Sequence, residues 1–127
     1  KFLADGLINL THGGLELASM IILWGSGILS GIIDNIPYTA TMAPMISAIE
    51  QTLGHAYVHP LWWSLSLGAC LGGNMTIIGA AANVIVCETA HKHGYKIPFV
   101  EYLKYGVSIT FISLALSTIY IYLRFLR

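Results

Sequence analysis

Apolar residues along this chain fall in long blocks; they do not alternate with polar ones. The first block, Leu15 to Ile33, reads LELASMIILWGSGILSGII. At about 1.5 Å per residue it nearly crosses a hydrocarbon core of about 30 Å. It carries Gly25, Ser26, Gly27, Ser30 and Gly31, small residues that let helices approach closely. A second block, Pro37 to Ile49, gives roughly 20 Å of helix and is too short to span alone. One span followed by a membrane-surface helix fits this pattern. So does a re-entrant helical hairpin over residues 15–51 with its tip near 34–37. The hairpin is preferred, because a cavity can solvate its polar tip. Glu50, Gln51, His55 and His59 then mark a return to water.

A third block starts at Leu61, with Trp62 and Trp63 suited to the interfacial aromatic belt. Gly68 and Gly72 have the spacing of a packed helix face. Gly72-Gly73-Asn74 and Gly79-Ala80-Ala81-Ala82-Asn83 then predict a discontinuity, since each glycine weakens a helix by about 1 kcal/mol relative to alanine. The helix resumes at Val84 and runs out between Glu88 and His93, so residues 60–93 predict a broken transmembrane helix. Residues 94–104 predict a loop, with Gly94 as helix stop, and an interfacial helix. Residues 105–124 predict a last span, and residues 1–14 a linker or the end of a preceding element.

Composition agrees with an all-α membrane protein embedded in a lipid bilayer. Of 127 residues, 56% are hydrophobic and only 9% charged, against about 25% charged in soluble domains. Six basic residues balance six acidic ones, which argues against a nucleic-acid partner. Cys70 and Cys87 have no CxxC spacing and are expected to be buried small hydrophobes. No signal-peptide pattern stands at the start. The chain opens at Lys1, close to a hydrophobic segment, so a piece of a longer membrane protein is expected. Lys92, Lys96 and Lys104 place their loop in the cytoplasm by the positive-inside rule, although Arg124 and Arg127 weigh the other way. His55, His59, His91 and His93 are expected to be surface residues, with no metal site. The Asn9 and Asn74 glycosylation patterns are discounted. No nucleophile–base pair, phosphate loop or zinc spacing is present, so an enzyme is not expected.

The chemistry concentrates at the interruptions. Asp34 is the only acid between Glu16 and Glu50, and no Lys or Arg stands between Lys1 and Lys92. A lone acid in an apolar run marks an ion or substrate pathway. Pro37 lacks an N–H and turns Ile36 away from the α region, so the helix is expected to break beside Asp34. Asp34 is expected to bind a cation or proton, or to cap the following half-helix, and the two roles are compatible. Asn35 and Asn83 are candidate ligands or caps. Thr39, Asn74 and Thr76 add hydroxyl and carboxamide groups, and Gly79 shapes the backbone. Two interrupted apolar segments are the sequence pointer to a transporter site near the bilayer midplane.

The runs DNIPYTATMAPMI (Asp34 to Ile46) and GACLGGNMTIIGAAANVIV (Gly68 to Val86), followed by HKHGYKIPFVEYLKYG, resemble the ion transporter superfamily. The likeness is to its arsenite-permease and NhaD-type sodium/proton antiporter group, which has a citrate-transporter-like domain and includes the melanosomal P protein. It covers nearly the whole chain from about Gly27. The resemblance implies a secondary transporter of two inverted repeats, this chain being most of the second. Related dicarboxylate symporters carry a Ser-Asn-Thr motif at the hairpin tip, where this chain has Asp34, Asn35 and Ile36. Their Pro-Pro-Asn-like turn is Ala81, Ala82 and Asn83 here. These departures disfavour an anionic carboxylate and suit sodium or proton coupling. No organic cofactor is expected. A small inorganic ion or carboxylate, the missing first repeat and a second copy in a homodimer are the expected partners. The location expected is multi-pass, in a plasma, inner or organelle membrane. A dicarboxylate or citrate symporter is the alternative within the class, and a non-transporting membrane scaffold subunit the alternative outside it.

Overall fold

The computed structural model describes residues 2–12 and 14–127. Lys1 and Gly13, part of the expected 1–14 linker, lie outside the described residues. The helices in chain order are α1 (Phe2–Thr11), α2 (Leu15–Ile32), α3 (Asn35–Leu53), α4 (His55–Gly72), α5 (Ala81–Lys92) and α6 (Phe99–Ile121). A 3-10 turn, Ile77–Gly79, lies between α4 and α5, and a π-helical turn, Tyr122–Leu126, follows α6. No strand occurs among the described residues.

Local chemistry sets where the helices stop. Ile33 turns extended (φ −110°, ψ 136°), and Asp34 caps α3 by accepting the Ile36 N–H at 3.2 Å. Pro37 sits in the first turn of α3, where its missing N–H costs nothing. Ile36 before it is helical, contrary to the expectation that Pro37 turns it away from the α region; the break falls at Ile33-Asp34. Gly54 alone joins α3 to α4 at φ 90°, a left-handed conformation that glycine tolerates. Gly94, at φ 88°, ends α5, and the Tyr95 N–H closes that end on the Ala90 carbonyl at 2.9 Å. From Phe99 the chain is helical without interruption to Ile121, so the stretch expected at the interface and the last span are one helix. No proline, and no glycine before Gly106, interrupts it after Pro98.

The tightest packing joins α2 to α4. A Cβ added at Gly68 would lie 2.7 Å from Ser26 Cβ, and one at Gly72 would overlap the Gly27 backbone. The Ser30 hydroxyl donates to the Ala69 carbonyl at 2.7 Å. Contact positions rise together along both helices, from Leu23 at Gly68 to Gly27 at Gly72 and Gly31 at Met75, so α2 and α4 run parallel. Between them in sequence, α3 makes the return. Its Tyr38 hydroxyl shares a 3.1 Å hydrogen bond with Ser26. Against α2 and α4, α6 is antiparallel: Leu114 lies at Gly27, Trp24 Nε1 donates to Thr118 Oγ1 at 3.0 Å, and Thr110 Oγ1 donates to the Leu71 carbonyl at 3.5 Å.

The core between α2, α3 and α4 holds Ile22, Ile46, Ile49, Val58, Leu61 and Leu65, with Ala4 and Leu7 of α1 joining it. Outside it, large apolar side chains face outward: Ile109, Ile112, Leu116 and Ile119 of α6, and Val84, Ile85 and Val86 of α5. Hydrocarbon solvates such surface as well as a protein core does. Among the described residues two helices, Leu15–Ile32 and Phe99–Leu126, are long and apolar enough to cross a membrane. The fold is that of an all-α membrane protein. One expectation is corrected here. Cys70 is exposed and Cys87 only partly covered, because Cys70 lies off the α4 face whose Gly68, Ala69 and Gly72 pack inward.

Candidate functional site

Two helix interruptions dominate the chemistry. The first is the Ile33-Asp34 turn between α2 and α3; the second runs from Gly73 to Ala80 between α4 and α5. They are far apart in sequence, and the last turn of α2, just before the first, touches the second. Thr76 Oγ1, buried, donates to the Gly31 carbonyl at 2.6 Å, in the last turn of α2. A Cβ on Gly79 would lie 3.1 Å from the same Gly31 oxygen. Thus the last turn of α2 and the second interruption form one polar seam inside an apolar bundle.

Asn83 braces that seam from the first turn of α5. Its Nδ2 donates to the Gly73 carbonyl at 2.8 Å and to the Thr76 carbonyl at 2.9 Å, so both amide hydrogens are used and Oδ1 remains to accept. Unwound backbone within a bilayer must find partners; Asn83 supplies one for the Gly73 carbonyl and a second for the Thr76 carbonyl, which also accepts the Gly79 N–H at 3.3 Å. The interruption is also pressed between two helices. Gly31 lies on one side, where a Cβ would meet Met75 and stand 3.0 Å from the Gly72 carbonyl. Gly106 of α6 lies on the other, where a Cβ would stand 2.8 Å from the Asn74 carbonyl.

The residues expected at the site therefore separate. Thr76, Gly79 and Asn83 meet at the seam. Asp34 caps α3 and is half-buried. Asn35 and Thr39, with Ile36 and Ala40, line a small cavity of about 330 Å³ on the α3 side. Asn74 is exposed and lines a different cavity beside α6. Gly31 and Gly106 are the residues that sequence reasoning did not place at the site, although Gly31 was singled out as a small packing residue.

The two helix starts differ electrostatically. At α3 a carboxylate stands at the positive end of the helix. At α5 the cap is Ala80, with no side-chain hydrogen bond; the Asn83 N–H closes on the Ala80 carbonyl at 3.0 Å, and the N–H groups of Ala81 and Ala82 have no side-chain cap. Away from the site, at the α3–α4 turn, Glu50 is held below the usual carboxylate range. The main cause is the hydrogen bond from His55 Nδ1, partly offset by burial and helped by the Trp62 indole N–H at 3.4 Å. His55 and His59 are exposed, as are His91 and His93.

An all-helical bundle with apolar outer faces and a polar seam at two helix interruptions is the frame of an integral membrane protein. The citrate transporter family model matches residues 1–68, more than half of the chain, and the chain belongs to that family. It is 44% identical over 126 residues to a 46 kDa membrane protein of Mycobacterium leprae, covering 98% of this chain and 29% of that one. An uncharacterized transporter of Mycobacterium tuberculosis is 42% identical over 124 residues, covering 97% of this chain and 29% of the relative. The P protein of Mus musculus is 41% identical over 105 residues, covering 82% of this chain and 13% of that protein. The chain thus spans less than a third of the length of these relatives. The family and the tuberculosis relative carry transporter names, not enzyme names. No solved structure matches the chain.

Proposed function

We propose that this chain is part of a secondary active ion transporter whose site lies where the two helix interruptions meet. The observation that carries the reading is the Thr76 bond to the Gly31 carbonyl, with Asn83 bracing the same segment. In this account α2 and α3 are a re-entrant hairpin, α4 and α5 a broken membrane helix, and α6 the last span of the second inverted repeat. The first repeat belongs to the rest of a longer multi-pass protein. The Asp34 carboxylate engages a coupling sodium ion or proton, and the open start of α5 faces the substrate. Asn35, Thr39 and Asn74 supply polar groups along the route. Transport proceeds by alternating access, one domain moving against the other. Antiport of the sodium/proton or arsenite-permease kind suits the acid at position 34. A second reading, carboxylate uptake, is favoured by the description of the family as citrate transporters and by the uncapped start of α5.

The test is flux in proteoliposomes holding the whole protein, driven by sodium or pH gradients, with and without Asp34→Asn. The expected result is gradient-driven flux that the substitution abolishes while membrane insertion persists. Wild-type flux from the Asp34→Asn protein would reduce Asp34 to a helix cap. Citrate uptake that ignores both gradients would favour the second reading.

A further inference from the structure

A cavity of about 730 Å³ lies between the loop that follows α5 and the start of α6. Its lining includes Lys96, Glu101, Tyr102 and Tyr105, and it extends to Asn74 and Gly106. Lys96, Glu101 and Tyr105 are exposed, and Tyr102 is partly covered. At the inner end, Asn74 is the exposed polar residue of an interruption whose Gly73, Thr76 and Gly79 are buried and whose Ile78 is also exposed. Glycine at position 106 lets α6 ride directly on the Asn74 and Met75 backbone there. The cavity thus leads from a charged rim to the unwound segment that Thr76 ties to Gly31. A cavity made for lipid chains would not carry an ammonium, a carboxylate and a carboxamide, each of which is costly in hydrocarbon.

We propose that this cavity is a water-filled entrance to the second interruption, with Lys96 and Glu101 setting which charge it admits. The proposal rests on the transporter reading and adds to it the side from which the interruption is reached. The cavity lining carries one positive charge, Lys96, and one negative, Glu101. In the flanking sequence 88–104, Lys92 and Lys104 against Glu88 leave an excess of one positive charge, which favours anions over cations. Lys96 lines the cavity itself, so its charge acts within a Debye length of anything entering.

The test uses the whole protein in sealed vesicles, with its native cysteines, Cys70 and Cys87 among them, replaced by serine. Asn74→Cys is exposed to small anionic and cationic thiosulfonate reagents from each side, with Lys96→Cys marking the side of the rim. Tyr105→Cys, further out, serves as a second probe if Asn74→Cys does not insert. The expected result is modification at the inner position from the Lys96 side only, faster with the anionic reagent. Lys96→Gln should slow the anionic reagent about two- to fivefold, and Glu101→Gln should speed it. A probe at 74, or at 105, that stays unmodified while Lys96→Cys reacts would mean that another segment fills the cavity, and would overturn the proposal. Entry from the opposite side, or rates indifferent to Lys96, would overturn it equally. Labelling needs no flux, so a protein that labels as expected but transports nothing would sink the transporter reading and leave the entrance standing.

Discussion

The two interruptions solve the same problem by different means. At Ile33-Asp34 the chain reverses within two residues, and one side chain does the work: Asp34 accepts the Ile36 N–H, and Pro37 needs no partner. From Gly73 to Ala80 the chain stays unwound for longer, and side chains distant in sequence hold it. Asn83 donates twice, Thr76 reaches across to Gly31, and Gly31 and Gly106 let neighbouring helices close on the backbone. A short break can be closed by local chemistry. A long one in an apolar bundle needs tertiary contacts for the carbonyls that are packed inside it.

The largest effect is expected at the seam both interruptions depend on. Gly72→Leu drives a side chain into the Gly27 backbone and should part α2 from α4. Overpacking costs about 1–3 kcal/mol when a side chain can yield, and backbone cannot yield. Folded, monodisperse protein should be lost in detergent, whereas Gly25→Leu, at an unobstructed glycine, should be recovered normally. Next in size is the contrast between the two interruptions themselves. Asn83→Ala strips both donors from the Gly73 and Thr76 carbonyls and should cost about 1–3 kcal/mol. Asp34→Ala removes one half-buried cap and should cost about 1 kcal/mol. Thermal melting of the two variants side by side orders them; a larger loss for Asp34→Ala would reverse the contrast.

The smallest effect lies outside the site. The hydrogen bond from His55 lowers the Glu50 pKa in the folded state, so its stabilisation is present above the ordinary glutamate value of about 4.5 and is lost as pH falls through the lower folded value. Melting temperature measured from pH 6 down to pH 3 should fall slightly less steeply for Glu50→Gln than for wild type. Identical slopes would show that the exposed His55–Glu50 pair adds nothing measurable, as many surface pairs do not.

Much of this was legible in the chain. Block-wise apolar composition gives the membrane class, Asp34 and Pro37 mark the first break, glycine density marks the second, and Gly68 and Gly72 mark the packed face of α4. The contact of the last turn of α2 with the second break was not legible, because it depends on α2 and α4 running parallel, with Gly31 beside Met75 and Thr76. Membrane helices carry apolar residues on lipid-facing and protein-facing sides alike, so periodicity does not tell which face packs. For the same reason Cys70 looked buried and Gly106 looked unremarkable. The union of the loop-side helix with the last span is hidden because Glu101 and Lys104 have the pattern of an interface, although nothing between Phe99 and Tyr105 stops a helix.

The central claim is that both interruptions build one ion site. Hydrogen–deuterium exchange of the whole protein, with and without sodium and at two pH values, tests it most directly. The account predicts that the driving ion slows exchange in the segments around Asn35-Ile36 and Ala81-Asn83 together, and that Asp34→Asn removes both responses. Slowing confined to one interruption, with the other unchanged, would contradict it.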